Sequence, residues 1–203
     1  MKLYYTKGTC SCGPHIAMRE LGNEPEMIPV NLMEKKLPGG GDFKGLNPKG
    51  YVPYIETDDG TGLSECGGIL QYLADQYPEK GLIPGAGTSE RYKVQDWLSF
   101  IGSELHKNLP PMFLPNIPED YRPVARARLE VRLNYMNEEL EGKHYLMGDR
   151  FTVADCYATA ILNWTKPAKY DLSAHPNVQA YYERCCARDS VVAANAAEEA
   201  AAA

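Results

Sequence analysis

Residues 52–65 read Val-Pro-Tyr-Ile-Glu-Thr-Asp-Asp-Gly-Thr-Gly-Leu-Ser-Glu, and this stretch decides the fold. Residues 52–57 carry the β-branched and aromatic side chains that favour a strand. Asp58-Asp59-Gly60-Thr61 has the composition of a tight hairpin turn, so residues 62–64 are predicted to return as a second strand. Apolar side chains then recur at helical spacing between residues 69 and 77, which predicts a helix that begins near Glu65. The stretch therefore predicts a β-β-α unit.

The residues before it predict a β-α-β unit. Residues 2–6 form a short apolar and aromatic run typical of a buried strand, and the turn Gly-Thr-Cys-Ser-Cys-Gly-Pro follows at residues 8–14. Pro14 suits the start of a helix because its φ is fixed and it has no amide hydrogen to leave unpaired, and Gly22 suits the end of that helix. Residues 27–32 predict a second strand. This order, β-α-β followed by β-β-α, resembles a thioredoxin-like domain.

The second half of the chain is predicted to be helical throughout. Glycines and prolines between residues 77 and 87 indicate an inter-domain linker. We expect helices over residues 89–109 and 122–140, a third that opens at Thr152 with Asp155 in a capping box, and a fourth after Pro176. The alanine-rich tail from residue 193 lacks large apolar side chains and is expected to fray.

The predicted fold class is thus α/β plus all-α, with a thioredoxin-like domain over residues 1–80, a linker over residues 81–87 and an all-helical domain over residues 88–203.

Composition excludes several classes of protein. The chain has 203 residues, of which 44% are hydrophobic and 24% charged, as in ordinary globular proteins. A net charge of −6 argues against nucleic-acid binding. No apolar run approaches the roughly 20 residues of a membrane span, so no membrane partner is predicted. The first residues read as a strand and turn without a signal peptide, so we expect a cytoplasmic location.

Six cysteines could suggest three disulfides, but a chain of this length without a secretory signal is expected to keep its thiols reduced. Cys185 and Cys186 are adjacent, which would strain a bond between them. The histidines and acidic residues lack the spacing of metal ligands, so no metal cofactor is predicted.

The turn between the first strand and helix holds the candidate nucleophiles Cys10, Ser11 and Cys12. Helix amides and the helix dipole favour an anion at this position, which lowers the pKa of a thiol. The Cys-x-Cys spacing differs from the Cys-x-x-Cys of dithiol oxidoreductases, so a disulfide cycle within the turn is not favoured. Two alternatives stay open, namely that both cysteines are small core residues and that Ser11 is the reactive group.

Three further residues have both a structural and a functional interpretation. Pro53 is either a trans proline at the start of a strand or a cis proline that turns the backbone towards an extended peptide ligand. Glu65 either caps its helix or joins the helix amides in holding an ammonium–carboxylate end group. His106 is either a surface or interface residue or part of a site.

In combination, these motifs resemble a bacterial glutathione S-transferase, most similar to the beta class. The resemblance runs from the first strand to about residue 188. The matching segments are Gly8-Thr9-Cys10-Ser11, Asn47-Pro48-Lys49-Gly50-Tyr51-Val52-Pro53, Leu63-Ser64-Glu65, Gln71-Tyr72-Leu73-Ala74-Asp75, Glu104-Leu105-His106-Lys107 and Gly148-Asp149-Arg150-Phe151-Thr152-Val153-Ala154-Asp155.

The resemblance implies a role for individual residues. Cys10 matches the cysteine that lies against the glutathione sulfur and forms a mixed disulfide with it, and Ser11 and His106 complete the implied catalytic set. Val52, before a cis Pro53, would pair its backbone with the cysteinyl part of glutathione. The full implied glutathione-binding set is Lys35, Tyr51, Val52, Pro53, Glu65, Cys66, Ser103 and Glu104. Cys66 replaces the small residue expected at that position, and Cys12 is also unusual.

The implied function is a glutathione S-transferase, which activates the thiol of its co-substrate glutathione for attack on a small hydrophobic electrophile. The electrophile pocket would lie in the helical domain, around residues 109–121. A cysteine in the catalytic position also implies thiol exchange through Cys10, and the family implies a homodimer and a role in detoxification. Two alternatives stay open: a glutathione-dependent reductase, peroxidase or dehalogenase, and a non-catalytic ligand-binding protein with the same fold.

Overall fold

A computed structural model describes residues 1–200 of the chain. The first part is a four-stranded sheet in the order β2-β1-β3-β4. Its strands are β1 (Lys2–Tyr5), β2 (Glu26–Pro29), β3 (Tyr54–Glu56) and β4 (Gly62–Ser64). Strand β1 pairs parallel with β2 and antiparallel with β3, and β3 pairs antiparallel with β4. The predicted β-α-β and β-β-α units therefore share one mixed sheet.

The two faces of the sheet are set by the alternation of side chains along β1. Leu3 and Tyr5 point into the main hydrophobic core, together with helices α1 (Cys12–Leu21) and α2 (Cys66–Asp75). Tyr4 points to the opposite face, where its ring packs against those of Phe43 and Tyr54. A short strand in this position thus supports two separate apolar layers.

The rest of the described chain is helical. It contains α3 (Ser89–Phe100), which continues into a π-helical turn (Ile101–Leu105), and then α4 (Tyr121–Glu139), α5 (Val153–Leu162), α6 (Pro176–Cys186) and α7 (Asp189–Ala200). All residues of α5 are buried, so this helix forms the centre of the second domain. None of the helices within residues 1–200 is long and apolar enough to cross a membrane.

Helices α1 and α5 join the two parts of the molecule. A Cβ atom at Gly13 would lie 3.4 Å from the carbonyl oxygen of Cys156, so the absence of a side chain at Gly13 permits this close approach.

The predicted capping box at the start of α5 is confirmed. The buried Asp155 carboxylate accepts hydrogen bonds from the Thr152 amide at 2.7 Å and from the Thr152 hydroxyl at 2.9 Å. It also accepts from the Leu146 amide and the Tyr181 hydroxyl, both at 3.0 Å. Burial nevertheless raises the pKa of Asp155 to about 6. These hydrogen bonds therefore hold both the loop before α5 and the N-terminal end of the helix.

The prediction of a frayed tail is wrong for residues 193–200. Helix α7 packs against α1, with Val191 and Ala194 fully buried and Glu198 only 3% exposed. One oxygen of the Glu198 carboxylate lies 3.2 Å from Nδ1 of His15, inside α1. The small alanine side chains allow the two helices to approach, and the glutamate supplies a polar anchor that composition does not reveal. The last part of the predicted tail, residues 201–203, lies outside the described residues.

Several predicted boundaries also shift. Helix α1 begins at Cys12 instead of Pro14, strand β2 ends at Pro29 instead of Leu32, and the first helix of the second half ends its π turn at Leu105 instead of Leu109.

Candidate active site

A cavity of about 770 Å³ opens between the sheet domain and the helical domain. Its wall on the sheet side carries thiol, carboxylate and backbone groups, from Thr9, Cys10, Tyr51, Val52, Glu65 and Cys66. Its wall on the helical side is largely aromatic and apolar, with Leu98, His106, Phe113, Leu114, Tyr157 and Trp164. One cavity thus offers a polar surface and an apolar surface to the same ligand space.

Cys10 lies at the boundary of these two walls, in the loop that leads from β1 into α1. Its side chain is 7% exposed, and its sulfur lies 3.5 Å from the carbonyl oxygen of Val52. A hydrogen bond from the Cys66 thiol lowers the pKa of Cys10, and a hydrogen bond and the nearby charge of His106 lower it further, against the opposing effect of burial. Cys10 therefore has a larger thiolate fraction at neutral pH than an ordinary cysteine.

His106 reaches the cavity from the end of the π-helical turn. Its amide donates to the carbonyl oxygen of Ile101 at 2.8 Å, five residues back, where an α-helix would bond four residues back. Its Nδ1 lies 2.7 Å from the hydroxyl oxygen of Tyr157, and its ring meets Trp164 edge-on at a centroid distance of 4.9 Å. These contacts fix the ring and leave its second nitrogen for another partner.

Tyr157 orients His106 and also lies near the two thiols. Burial raises the pKa of Tyr157 first, and the neighbouring Cys66 and Cys10 sulfurs raise it further, so its hydroxyl stays protonated. A hydroxyl that keeps its proton can donate a hydrogen bond beside the reactive sulfur.

The peptide bond between Val52 and Pro53 is cis, as one of the two interpretations of Pro53 expected. Both residues line the cavity directly before β3. The contact of 3.5 Å between the Cys10 sulfur and the Val52 carbonyl oxygen places the backbone of Val52 next to that sulfur, where an extended peptide could pair with it.

Glu65 does not act as a helix cap through its side chain. It occupies the position before α2, but its carboxylate makes no capping hydrogen bond and instead accepts from Lys49 Nζ at 2.7 Å and the Tyr51 hydroxyl at 2.6 Å. The Lys49 and Tyr51 hydrogen bonds lower the pKa of Glu65. Its φ of +74° is a left-handed conformation that non-glycine residues rarely adopt, and such strain concentrates at functional sites.

Comparison with known proteins identifies the family to which the chain belongs. The profile of the glutathione S-transferase N-terminal domain matches residues 14–81, and that of the C-terminal domain matches residues 100–189. Glutathione S-transferase GstA of Escherichia coli O157:H7 is 42% identical over 198 residues, which cover 98% of each chain. The chain belongs to the glutathione S-transferase family.

Solved structures place the chain among the bacterial members. The beta-class glutathione S-transferase of Sphingomonas chungbukensis is 41% identical with a TM-score of 0.93 and 98% of each chain covered. A sphingomonad glutathione S-transferase complexed with glutathione is 39% identical with a TM-score of 0.93, covering 98% of this chain and 99% of that one. The activity is therefore that of a glutathione transferase with glutathione as co-substrate, and neither alternative function is favoured.

Three residues predicted for the transferase site do not line the cavity. Ser11 is fully buried, and its hydroxyl donates to the carbonyl oxygen of Thr6 at 3.2 Å, so it stabilises the loop from within. Glu104 accepts from Nε of Arg132 on α4 at 2.6 Å. Lys35 lies in a loop with φ +57° and its side chain lies beside Gly50, so it approaches the lining residue Tyr51 but does not itself line the cavity. The sequence could not reveal that these three residues lie outside the cavity lining, because the direction of a side chain depends on tertiary neighbours that sequence position does not specify.

The other predicted residues lie at the cavity. Cys10, Tyr51, Val52, Pro53, Glu65, Cys66, Ser103 and His106 all contribute to its lining. Sequence reasoning missed Tyr157 and Trp164. The hydroxyl of Tyr157 hydrogen-bonds His106, and Nε1 of Trp164 donates to the carbonyl oxygen of Gly8 at 2.8 Å. Tyr157 lies within the apolar helix α5 and Trp164 directly follows that helix, so no sequence signal separates either residue from core aromatics.

Within residues 1–200, no group of three or more His, Cys, Asp or Glu side chains is arranged to hold a metal ion.

Proposed function

We propose that glutathione lies along the sheet-side wall of the cavity with its sulfur beside Cys10 and His106, and that a small hydrophobic electrophile occupies the aromatic wall. The observation that carries this proposal is the position of Cys10, which lies where the polar and apolar walls meet. A nucleophile held there faces the region in which an apolar electrophile would be held.

The chemistry follows from the groups that surround this point. Free glutathione is a weak nucleophile at neutral pH because little of its thiol is ionised. The Cys66 thiol and the His106 side chain, which lower the pKa of Cys10, are donors that favour a thiolate at this position. The same donors would favour the thiolate of a glutathione sulfur placed against Cys10, and the cavity would orient it for attack.

Two parts of glutathione, the γ-glutamyl end and the central cysteinyl part, have matching groups in the cavity. We assign its γ-glutamyl end to the start of α2, where Glu65 can hold the ammonium group and the free amides near Cys66 can hold the carboxylate. The backbone of Val52 would pair with the cysteinyl part. Pro110, Phe113 and Leu114, from the segment predicted to select the electrophile, contribute to the apolar wall.

Other parts of the proposal concern the whole protein. We propose a homodimer formed through the helical domain, where Trp97, Phe100 and Tyr135 form a cluster with centroid distances of 5.2–6.0 Å next to the 57% exposed Val131. We also propose a cytoplasmic detoxifying role and the division into residues 1–80, 81–87 and 88–203.

The test is the conjugation of glutathione to a small aryl halide by wild type and by His106→Gln. We expect kcat/KM to fall by about 100-fold in His106→Gln because a positioned donor at the sulfur is lost. The matched control is His144→Gln, since His144 is exposed and pairs with Asp149 away from the cavity, and this variant should retain wild-type activity. Absence of glutathione binding by wild type at millimolar ligand would overturn the proposal, and unchanged turnover in His106→Gln would remove His106 from it.

A further inference from the structure

Cys66 brings a second thiol to the active site, beside Cys10. It is the first residue of α2, is 4% exposed and contributes to the lining of the cavity. Its thiol donates a hydrogen bond to the backbone carbonyl oxygen of Cys10 at 3.5 Å, and its proximity lowers the pKa of the Cys10 thiol. The fold thus brings two cysteines, 56 positions apart in the chain, to one point of the active site.

The two thiols differ in their state of ionisation. The pKa of Cys10 is lowered by the Cys66 hydrogen bond and by His106, whereas burial raises the pKa of Cys66. Cys10 is therefore the thiol that reacts first with a disulfide, and Cys66 stays protonated beside it.

We propose that Cys66 is a resolving thiol, which attacks mixed disulfides formed at Cys10 and closes a reversible Cys10–Cys66 disulfide. This inference rests on the proposed binding of glutathione beside Cys10. It adds a redox state to the transferase, in which the reactive sulfur is blocked by the chain itself.

The steps balance with oxidised glutathione as the oxidant. The Cys10 thiolate attacks one sulfur of oxidised glutathione, which forms the Cys10–glutathione disulfide and releases one glutathione thiolate. The Cys66 sulfur then attacks Cys10, which breaks that mixed disulfide and releases the second glutathione, and the Cys66 proton passes to the departing thiolate. Both cysteines are oxidised and both halves of oxidised glutathione are reduced. Two reduced glutathione molecules reverse the reaction and reopen the site.

Cys12 serves as the internal comparison because it is the other cysteine of the same loop. Its sulfur lies 3.6 Å from Oδ1 of Asn195 on α7, outside the cavity lining. It therefore faces away from the point at which a mixed disulfide would form.

The experiment treats the full chain with oxidised glutathione, quenches it in acid, and measures intact mass and cross-linked peptides without reductant. Wild type should lose two hydrogens in mass, give a Cys10–Cys66 peptide pair and carry little glutathione. Cys66→Ser and Cys66→Ala should each accumulate one glutathionyl group on Cys10. Because an oriented neighbouring thiol has a high effective concentration, we expect at least about tenfold less adduct on wild type than on either variant. Cys12→Ser should match wild type.

A stable glutathionyl group on Cys10 of wild type, or a cross-link from Cys10 to Cys12, would overturn the inference. Retention on immobilised glutathione and aryl-halide turnover separate this failure from that of the proposed function. A wild type that binds and conjugates glutathione but keeps its adduct contradicts only the resolving role of Cys66. A wild type that neither binds nor conjugates glutathione contradicts both.

Discussion

Cys10 and Cys12 lie two residues apart, yet they occupy opposite chemical environments. Cys10 faces the cavity, where the Cys66 thiol and then His106 lower its pKa. Cys12 faces α7, where burial and then the nearby Glu198 carboxylate raise its pKa. Both lie at the same end of α1, so the local helix dipole cannot explain the difference. Neighbours from distant parts of the chain determine which of two similar thiols can react.

The largest expected effect is the difference in alkylation rate between these two thiols. At mildly acidic to neutral pH, we expect Cys10 to react with iodoacetamide at least about 1,000-fold faster than Cys12, since only the thiolate reacts. The rate at Cys10 should stay high as the pH falls below the ordinary thiol pKa of 9.0 and should decline only at the lowered pKa of Cys10. Peptide mapping of a time course measures both rates.

Two variants identify the cysteine that is responsible for the fast alkylation. Cys10→Ser should abolish it and Cys12→Ser should preserve it, and the two thiols should react at similar rates in denaturant. A fast phase that persists in Cys10→Ser would contradict the contrast between the two environments.

This contrast also shows how far sequence reasoning extends. The strand and helix order follows from periodicity and turn chemistry, which act within short segments, and the Asp155 capping box follows from a local motif. For Pro53 the local sequence leaves both the cis and the trans isomer open, and only the family resemblance favours cis. The directions of Ser11 and Glu104 depend on Thr6 and Arg132, and those partners are known only once the chain is folded. Sequence reasoning could therefore place Cys10 and His106 in a candidate site without the tyrosine that orients His106.

The same limit explains the docked tail. A glutamate among alanines is normally a solvent-exposed residue, and Glu198 has no local feature that distinguishes it from Glu199. Glu198 is buried against His15, whereas Glu199 remains exposed and pairs with Lys7 at 2.6 Å. The two neighbouring glutamates therefore form a matched pair of variants for testing how α7 is anchored to α1 and to the loop between β1 and α1.

The second effect in size is the loss of stability in Glu198→Ala. Besides its contact with His15, the Glu198 carboxylate accepts from the Gly8 amide at 3.4 Å, so truncation removes that hydrogen bond and leaves the buried His15 ring without its carboxylate partner. We expect the free energy of unfolding to fall by about 2 kcal/mol. Denaturant unfolding at one fixed protein concentration measures this change.

Glu199→Ala is the control, because an exposed ion pair contributes at most about 1 kcal/mol. Equal losses in the two variants would mean that α7 is not anchored through Glu198. The alkylation rate of Cys10 should stay near its wild-type value in Glu198→Ala, since Glu198 contacts the loop between β1 and α1 from the side of α7 and not from the side of the cavity.

The smallest expected effect concerns Gly8, where the two sides of the loop meet. Its amide donates to Glu198 on the α7 side, and its carbonyl oxygen accepts from Nε1 of Trp164 at 2.8 Å on the cavity side. Trp164→Phe keeps an aromatic ring in the wall beside His106 but removes this hydrogen bond. We expect a loss of about 1 kcal/mol in the free energy of unfolding.

Because Trp164 and Glu198 hold the same peptide segment from opposite sides, their effects should not be independent. Residues that share a partner commonly show an interaction energy of about 0.5 kcal/mol or more in a double-mutant cycle. Denaturant unfolding of Trp164→Phe, Glu198→Ala and the double variant measures this energy. A non-zero value would mean that the helical domain positions the Cys10 loop from both sides at once, whereas additive losses would mean that the cavity side and the α7 side act separately.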